Sequence, residues 1–314
     1  MQKSRKKKEK KKQKNRTLMA IMLIILYLGG LFVYAIPDLQ KVALQKENEK
    51  AVEHFKEEVE GSQLDKSGEE KDSTSADSNQ IPKNAQLYQE MQAYNQQIFS
   101  DGQSGLTDPW SYEQETLDLS KYGIDDGMIG ILDIPKMDVT LPLYLGATQE
   151  KMARGAVMLG QTSFPVQDTD SNCVIAAHRG WKGGIPMFRE IERLEIGDEL
   201  TIQNCQETLT YRVSEIEIIL PDESDKIMIQ PGGRNMVTLM TCHPYTQNSK
   251  RYVVYCDEVG TQPEAAVDAA EEADSSQQEN ITTSEQNRTE AIEEDQRLIE
   301  RDTLWRKAGY AGIG

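Results

Sequence analysis

Residues 17–36 (TLMAIMLIILYLGGLFVYAI) form an uncharged, strongly apolar run that ends at Pro37. At about 1.5 Å per residue in a helix, such a run covers the roughly 30 Å hydrocarbon layer of a bilayer. It therefore predicts a transmembrane helix. Residues 1–16 carry ten Lys/Arg and one Glu, whereas the whole chain has a formal net charge of −17. Basic flanks stay on the cytoplasmic side, so the tip is expected inside and the acidic remainder outside. Tyr27 and Tyr34 suit the interfacial zone. A cleaved leader is the other reading, but the run is long for a leader's apolar core and lacks an Ala-x-Ala site. No second run of this length occurs, so a single pass is expected. Phosphate contacts need a distributed basic surface, so this charge pattern argues against nucleic-acid partners.

The segments on either side of the middle of the chain are polar. Residues 38–59 read as helix, with Leu39, Val42, Val52, Phe55 and Val59 at loosely helical spacing. Residues 61–79 are too polar to bury a core and read as a linker. Residues 84–99 place Leu87, Met91, Tyr94 and Ile98 at i, i+4, i+7 and i+11, the pattern of an amphipathic helix docked on the domain C-terminal to it. The tail from Asp257 is acidic and poor in large apolar residues. It holds sequons at Asn280 and Asn287, a short helical pattern at 289–307 and an aromatic end at 305–310.

Between about residues 123 and 256 the texture changes. Short β-type runs recur at 129–134, 139–145, 173–177, 199–203, 208–220, 236–242 and 252–256, punctuated by Asp-Gly, Gly-Asp and Pro-Gly-Gly turns. Only 148–154 and 186–193 suggest helix. Strands at this spacing predict a mainly β sandwich or barrel with a few short helices, and about 130 residues suffice for one core. The expected organisation is a basic cytoplasmic tip (1–16), a transmembrane helix (17–36), an outside stalk and linker (37–104), a lid segment (105–122), a catalytic barrel (123–257) and an acidic, disordered tail (258–314).

Four cysteines occur, Cys173, Cys205, Cys242 and Cys256, with no C-x-x-C pair to suggest zinc. Three of them lie in strand patterns as small apolar residues would, and their pairing stays open. Cys242 differs. It ends a strand and is followed by His243 and Pro244, and proline does not continue a central strand. A thiol at a strand's mouth is placed to act as a nucleophile, provided a cationic neighbour favours the thiolate.

Of three histidines, His54 sits in the charged stalk. His243 adjoins Cys242, but successive strand residues point to opposite faces. His178 ends the strand pattern CVIAAH, so His178 and Cys242 would share one end of a sheet if their strands are adjacent and parallel. A capped turn is the alternative for His178. Arg251 opens an apolar strand and can offer its guanidinium to an oxyanion. An edge-strand ion pair is its alternative.

Together these residues resemble the sortases, the cysteine transpeptidases of Gram-positive cell surfaces. Residues 238–242 (TLMTC) match the family's T-L-x-T-C strand, with His178 64 positions before Cys242 and Arg251 nine after it. Residues 242–251 (CHPYTQNSKR) resemble the class C, pilin-polymerising form C-T-P-Y-x-x-N-x-x-R. Asp108, Pro109 and Trp110 resemble the D-P-F/W lid whose ring covers the cysteine in that class. Two features depart from the pattern. His243 stands where Thr is usual, and the acidic tail stands where class C enzymes carry a second membrane segment.

The resemblance implies an eight-stranded β-barrel with the site at one end and no cofactor or metal. It implies catalytic roles for Cys242, His178 and Arg251, a lid of Asp108, Pro109 and Trp110, and substrate-groove roles for Thr241, His243, Tyr245 and Asn248. The implied reaction is cleavage of an LPXTG-like signal between Thr and Gly through a thioacyl-enzyme. The implied partners are LPXTG-type surface or pilin proteins and an amine acceptor, either a pilin lysine or a cell-wall precursor. Anchoring of single proteins to peptidoglycan precursor, and a non-catalytic tethered binding module, are the alternative functions.

Overall fold

The computed structural model describes residues 2–64, 83–103, 106–112, 117–180, 185, 187–229, 233–259 and 297. The chain divides into two compact units, one of Met1–Glu47 with Lys182–Ile185 and one of all other residues.

In the first unit the chain is helical, as part of α1 (Gln2–Leu64). This helix contains a window with a mean hydropathy of 2.5, none of it buried, and it is one helix long and apolar enough to cross a membrane among the described residues. Side chains from Leu18 to Phe32 stand exposed all round it. Large apolar side chains on every face suit lipid rather than water. The helix continues through Pro37, where the apolar run of the sequence stops.

In the second unit, eight strands close a barrel in the order β1-β2-β3-β4-β7-β8-β6-β5. They are β1 (Met128–Ile134), β2 (Val139–Leu145), β3 (Ala156–Met158), β4 (Ser171–Ala176), β5 (Glu199–Gln203), β6 (Thr208–Ile219), β7 (Asn235–His243) and β8 (Lys250–Glu258). Seven match the β-type runs of the sequence. The eighth, β3, has three residues, too few for a period-2 pattern to register. Its partners reveal it, because it lies parallel to β2 and antiparallel to β4. A helix α3 (Gln149–Arg154), capped by Thr148 accepting the Lys151 N–H, makes the β2–β3 crossover.

The helix expected at 186–193 is not formed over the described residues. Bends and turns lead into a single 3-10 turn at Ile191–Arg193. The Phe188 N–H is drawn instead to the His178 carbonyl, at 3.0 Å. Eight residues with one strong tertiary bond do not repay the cost of helix nucleation.

Strands β4 and β7 are buried along their whole length and pair in parallel, from Ser171↔Asn235 to Ala176↔Met240. A strand covered on both faces reads as a continuous apolar run, which is how CVIAA and MVTLMTC appear. Exposure alternates instead along β6, where one face meets water. Gly130 on β1 is required by a close approach, since a Cβ there would stand 2.5 Å from the Gln203 carbonyl oxygen.

Two helical pieces pack on the barrel within this unit. Val52, Phe55 and Val59 of α1 are buried in a cluster with Met128, Tyr144 and Val157. Helix α2 (Lys83–Ser100) buries Leu87, Met91 and Asn95. The amphipathic stripe expected there is present, with a polar residue at its centre. The Asn95 amide pairs with Phe164 as a neighbouring strand would, donating to its carbonyl at 3.0 Å and accepting its N–H at 2.6 Å. Asn95→Ala strands both backbone groups in a buried site and is expected to cost about 2–4 kcal/mol. Denaturant unfolding measures this, and a loss below about 1 kcal/mol would show that α2 docks by apolar contact alone.

The expected linker beyond Leu64, the sequons at Asn280 and Asn287, the pattern at 289–307 apart from Arg297, and the aromatic end at 305–310 lie outside the described residues.

Candidate active site

The candidate site is a consequence of strand order. Because β4 and β7 run parallel, their C-terminal ends emerge side by side. His178 lies two residues beyond β4 and Cys242 is the penultimate residue of β7. The Thr241 hydroxyl ties these ends by donating to the Ala177 carbonyl at 2.7 Å. On the other flank β8 runs antiparallel to β7, which sets Arg251 in register with Cys242. Three adjacent strands thus bring His178, Cys242 and Arg251 to one edge of the barrel.

The segment before the barrel folds over this edge. The Asp108 carboxylate takes two parallel bonds from Arg251, from Nε at 2.8 Å and from Nη2 at 3.0 Å. The remaining nitrogen, Nη1, donates to the carbonyls of Asn248 at 3.0 Å and Lys250 at 2.8 Å. Every nitrogen of the guanidinium is engaged, and Arg251 is only 6% exposed. Pro109 opens a 3-10 turn (Pro109–Ser111) that carries Trp110 inward. The indole lies between the two functional groups. Its ring centroid is 4.5 Å from the Arg251 guanidinium carbon, and its N–H donates to His178 Nδ1 at 3.4 Å. The turn closes at Tyr112 in the left-handed region, at φ 58°.

These contacts decide protonation. An indole only donates, so His178 Nδ1 accepts and the proton of the neutral ring sits on Nε2. Burial lowers the His178 pKa, which also favours the neutral ring. Burial pushes the Cys242 thiol up to about 11, with the Arg251 guanidinium opposing and the Asp108 carboxylate adding to the rise. Covered by the segment, the site holds a neutral thiol and a neutral imidazole.

The four groove positions are dispersed. Thr241 is fully buried and spent on the strand tie. Tyr245 is 6% exposed, with the Arg189 guanidinium 5.4 Å from its ring centroid. Asn248 is exposed and contributes its carbonyl to Arg251. His243 is turned to the face away from Cys242, with its ring tilted against Tyr252 at 5.8 Å between centroids. Its Nδ1 lies 3.1 Å from Arg179 Nη1 and 3.6 Å from Glu192 Oε1. Arg179 and Glu192 also pair directly.

None of the four cysteines is in a disulfide. Cys173 and Cys256 both lie in register with Val237, on opposite sides of β7. Two strand spacings, about 9.5 Å, separate them, beyond disulfide reach. Among the described residues no group of three or more His, Cys, Asp or Glu gathers as a metal would need.

The family model for the sortase domain matches residues 132–259. Sortase C-3 from Streptococcus pneumoniae superposes with a TM-score of 0.51 at 32% identity, covering 57% of this chain and 85% of that one. This chain belongs to the sortase family. Another S. pneumoniae sortase C, whose crystal structure bears on pilin substrate specificity, has a TM-score of 0.55 at 25% identity, covering 68% of this chain and 99% of that one. Sortase A of Bacillus anthracis is 29% identical over 134 residues, 43% of this chain. The chain spans about three fifths of the length of the curated relatives it matches, 61% for that Sortase A. Sortases are cysteine transpeptidases, and the structural neighbours are pilin-related class C sortases.

Three residues of this sortase site were not singled out for a role by sequence. Tyr112 is close enough to Cys242 and Asp108 for their charges to raise its own pKa, after burial has done so. Arg179 repeats the 64-residue offset of His178 and Cys242, since it meets His243. That offset was legible. Glu192 had no signal, because a loop delivers it.

Proposed function

We propose that this chain is a membrane-anchored cysteine transpeptidase with its barrel outside the cell and its basic tip in the cytoplasm. It cleaves an LPXTG-like signal between Thr and Gly and passes the acyl group to an amine, a pilin lysine. The observation that carries this reading is the meeting of His178, Cys242 and Arg251 at one edge of the barrel, beneath Asp108 and Trp110. The class C neighbours and the CHPY segment support a pilin lysine as acceptor.

The reaction begins with the covering segment withdrawn. The Cys242 thiol passes its proton to His178, giving a thiolate and an imidazolium. The thiolate attacks the Thr carbonyl carbon. Arg251, released by Asp108, donates to the developing oxyanion. As the tetrahedral centre collapses, the C–N bond breaks and His178 protonates the departing glycine amine. The thioester that remains is attacked by the incoming amine. His178 takes its proton, the C–S bond breaks, and an amide leaves with the thiolate restored.

The covered state is latent, since the fork that would meet an oxyanion is filled by Asp108. Trp110→Ala removes the ring between Arg251 and His178. It is expected to speed alkylation of Cys242 on the order of tenfold, as loss of a desolvated cation–π contact implies. Labelling no faster than wild type would sink the lid. For function, the Trp110→Ala chain is incubated with an LPXTG peptide and a lysine-bearing acceptor. A thioester at Cys242 and an isopeptide product are the expected results, and no adduct on an open, alkylatable thiol would favour a binding module.

A further inference from the structure

The Arg179–Glu192–His243 cluster takes no part in the catalytic steps, although two of its members adjoin His178 and Cys242. Its burial is unusual for charged groups. The side chains of Arg179 and Glu192 are 4% and 3% exposed, and that of His243 is 1% exposed. Buried charges persist where they are paired and fixed. An arginine only donates, so His243 Nδ1 accepts from Arg179 and the ring is neutral, with its proton on Nε2. One cation and one anion are thus held in place by a neutral acceptor.

The geometry gives the cluster a position relative to the chemistry. Side chains alternate along a strand, so His243 lies on the face of β7 away from Cys242, and Arg179 meets it there. The loop that supplies Glu192 is tied to the same place by a second bond, from the Phe188 N–H to the His178 carbonyl at 3.0 Å. The site therefore has a cation on each side of the nucleophile. Arg251 lies in front, paired with Asp108 in the covered state, and Arg179 lies behind, paired with Glu192.

We propose that Arg179 is a second fixed cation of the catalytic end, a positioning residue that Glu192 and His243 clamp behind the nucleophile, where it aligns the strand ends carrying His178 and Cys242 and favours the thiolate. The proposal rests on Cys242 being the nucleophile. The other groups about Cys242 are His178 beyond β4, Arg251 and Tyr252 on β8, His243 on β7, and Asp108 and Tyr112 from the segment above. The positive charge of Arg179 acts to lower the Cys242 pKa, after burial and the charges of Arg251 and Asp108.

The test is the pH profile of Cys242 alkylation by iodoacetamide, in the full chain held in detergent and carrying Trp110→Ala. The rate is read on the Cys242 peptide by mass spectrometry. The double variant Arg179→Gln/Glu192→Gln removes both charges and leaves neither partner buried alone. Its midpoint is expected to rise by up to about half a pH unit, since the anion removed with the cation offsets part of the change, which slows labelling by up to about threefold below the midpoint. Arg179→Lys keeps the charge and is expected to return the midpoint to that of the parent. A folded double variant with an unchanged midpoint and only a lower melting temperature would make the cluster a structural brace and overturn the proposal. If the double variant does not fold, Glu192→Gln alone keeps the cation and removes the anion. It is then expected to lower the midpoint, and no shift or an upward one refutes the idea. Alkylation needs no sorting peptide, so a wrong substrate assignment would leave this profile intact.

Discussion

Cys242→Ala is expected to abolish the peptide thioester and to reduce transpeptidation by roughly 10⁴–10⁶-fold, the scale on which acyl-transfer enzymes lose activity without their nucleophile. No other thiol is placed to replace it. Cys173 and Cys256 are at most 1% exposed in strand interiors, and Cys205 donates to the Asn84 carbonyl at 3.6 Å. The substitution removes one sulfur from a 7% exposed site, so the fold should stand. Intact-mass analysis after incubation with an LPXTG peptide checks this, with circular dichroism as the folding control. An adduct that survives in Cys242→Ala would remove this residue from the chemistry.

Arg251→Ala is expected to lower kcat/KM by about 10²–10³, or about 2.7–4 kcal/mol, as loss of an oxyanion donor does elsewhere. The same change frees Asp108 and with it the covering segment. It therefore carries a distinctive signature, in which activity falls while access to the thiol improves. The pH profile separates the two effects by sign. The thiol is already raised to about 11 by burial, and Arg251 opposes that rise. Without Arg251 the alkylation midpoint moves further up, so labelling at neutral pH is limited by thiolate fraction and at high pH by access. Asp108→Ala, which removes an anion that raises the thiol pKa, moves it down. Arg251→Lys keeps the charge but lacks the planar fork, so it should recover the pH profile better than the rate. Activity within threefold of wild type in Arg251→Ala would dismiss the oxyanion role.

Much of the barrel was legible because its strands obey local rules. The half-exposed β6 and the doubly covered β4 and β7 all appear in the sequence as short β-type runs. What escaped was set by partners rather than by period. Strand β3 is short and exists because β2 and β4 pair with it. Residues 187–193 form turns because a carbonyl at His178 and a buried arginine claim their polar groups. Asn95 was no part of the apolar stripe read from the sequence, and the barrel uses it as a strand substitute.

The same division runs through the site. The residue types marked His178, Cys242 and Arg251 as candidates, and the resemblance of their spacing to the sortases supplied the roles expected of them. The apolar run at 17–36 likewise predicted a helix long and apolar enough to cross a membrane from composition alone, because lipid selects for composition rather than for contacts. The tertiary structure decided which groups meet and in what state. The parallel pairing of β4 with β7 sets His178 beside Cys242. The Asp108 fork occupies Arg251, and Trp110 fixes the tautomer of His178. His243 is directed into a buried ion pair with residues 64 and 51 positions before it. Protonation, occupancy and burial depend on distances of a few ångströms between residues remote in the chain, and only the closed barrel sets those distances.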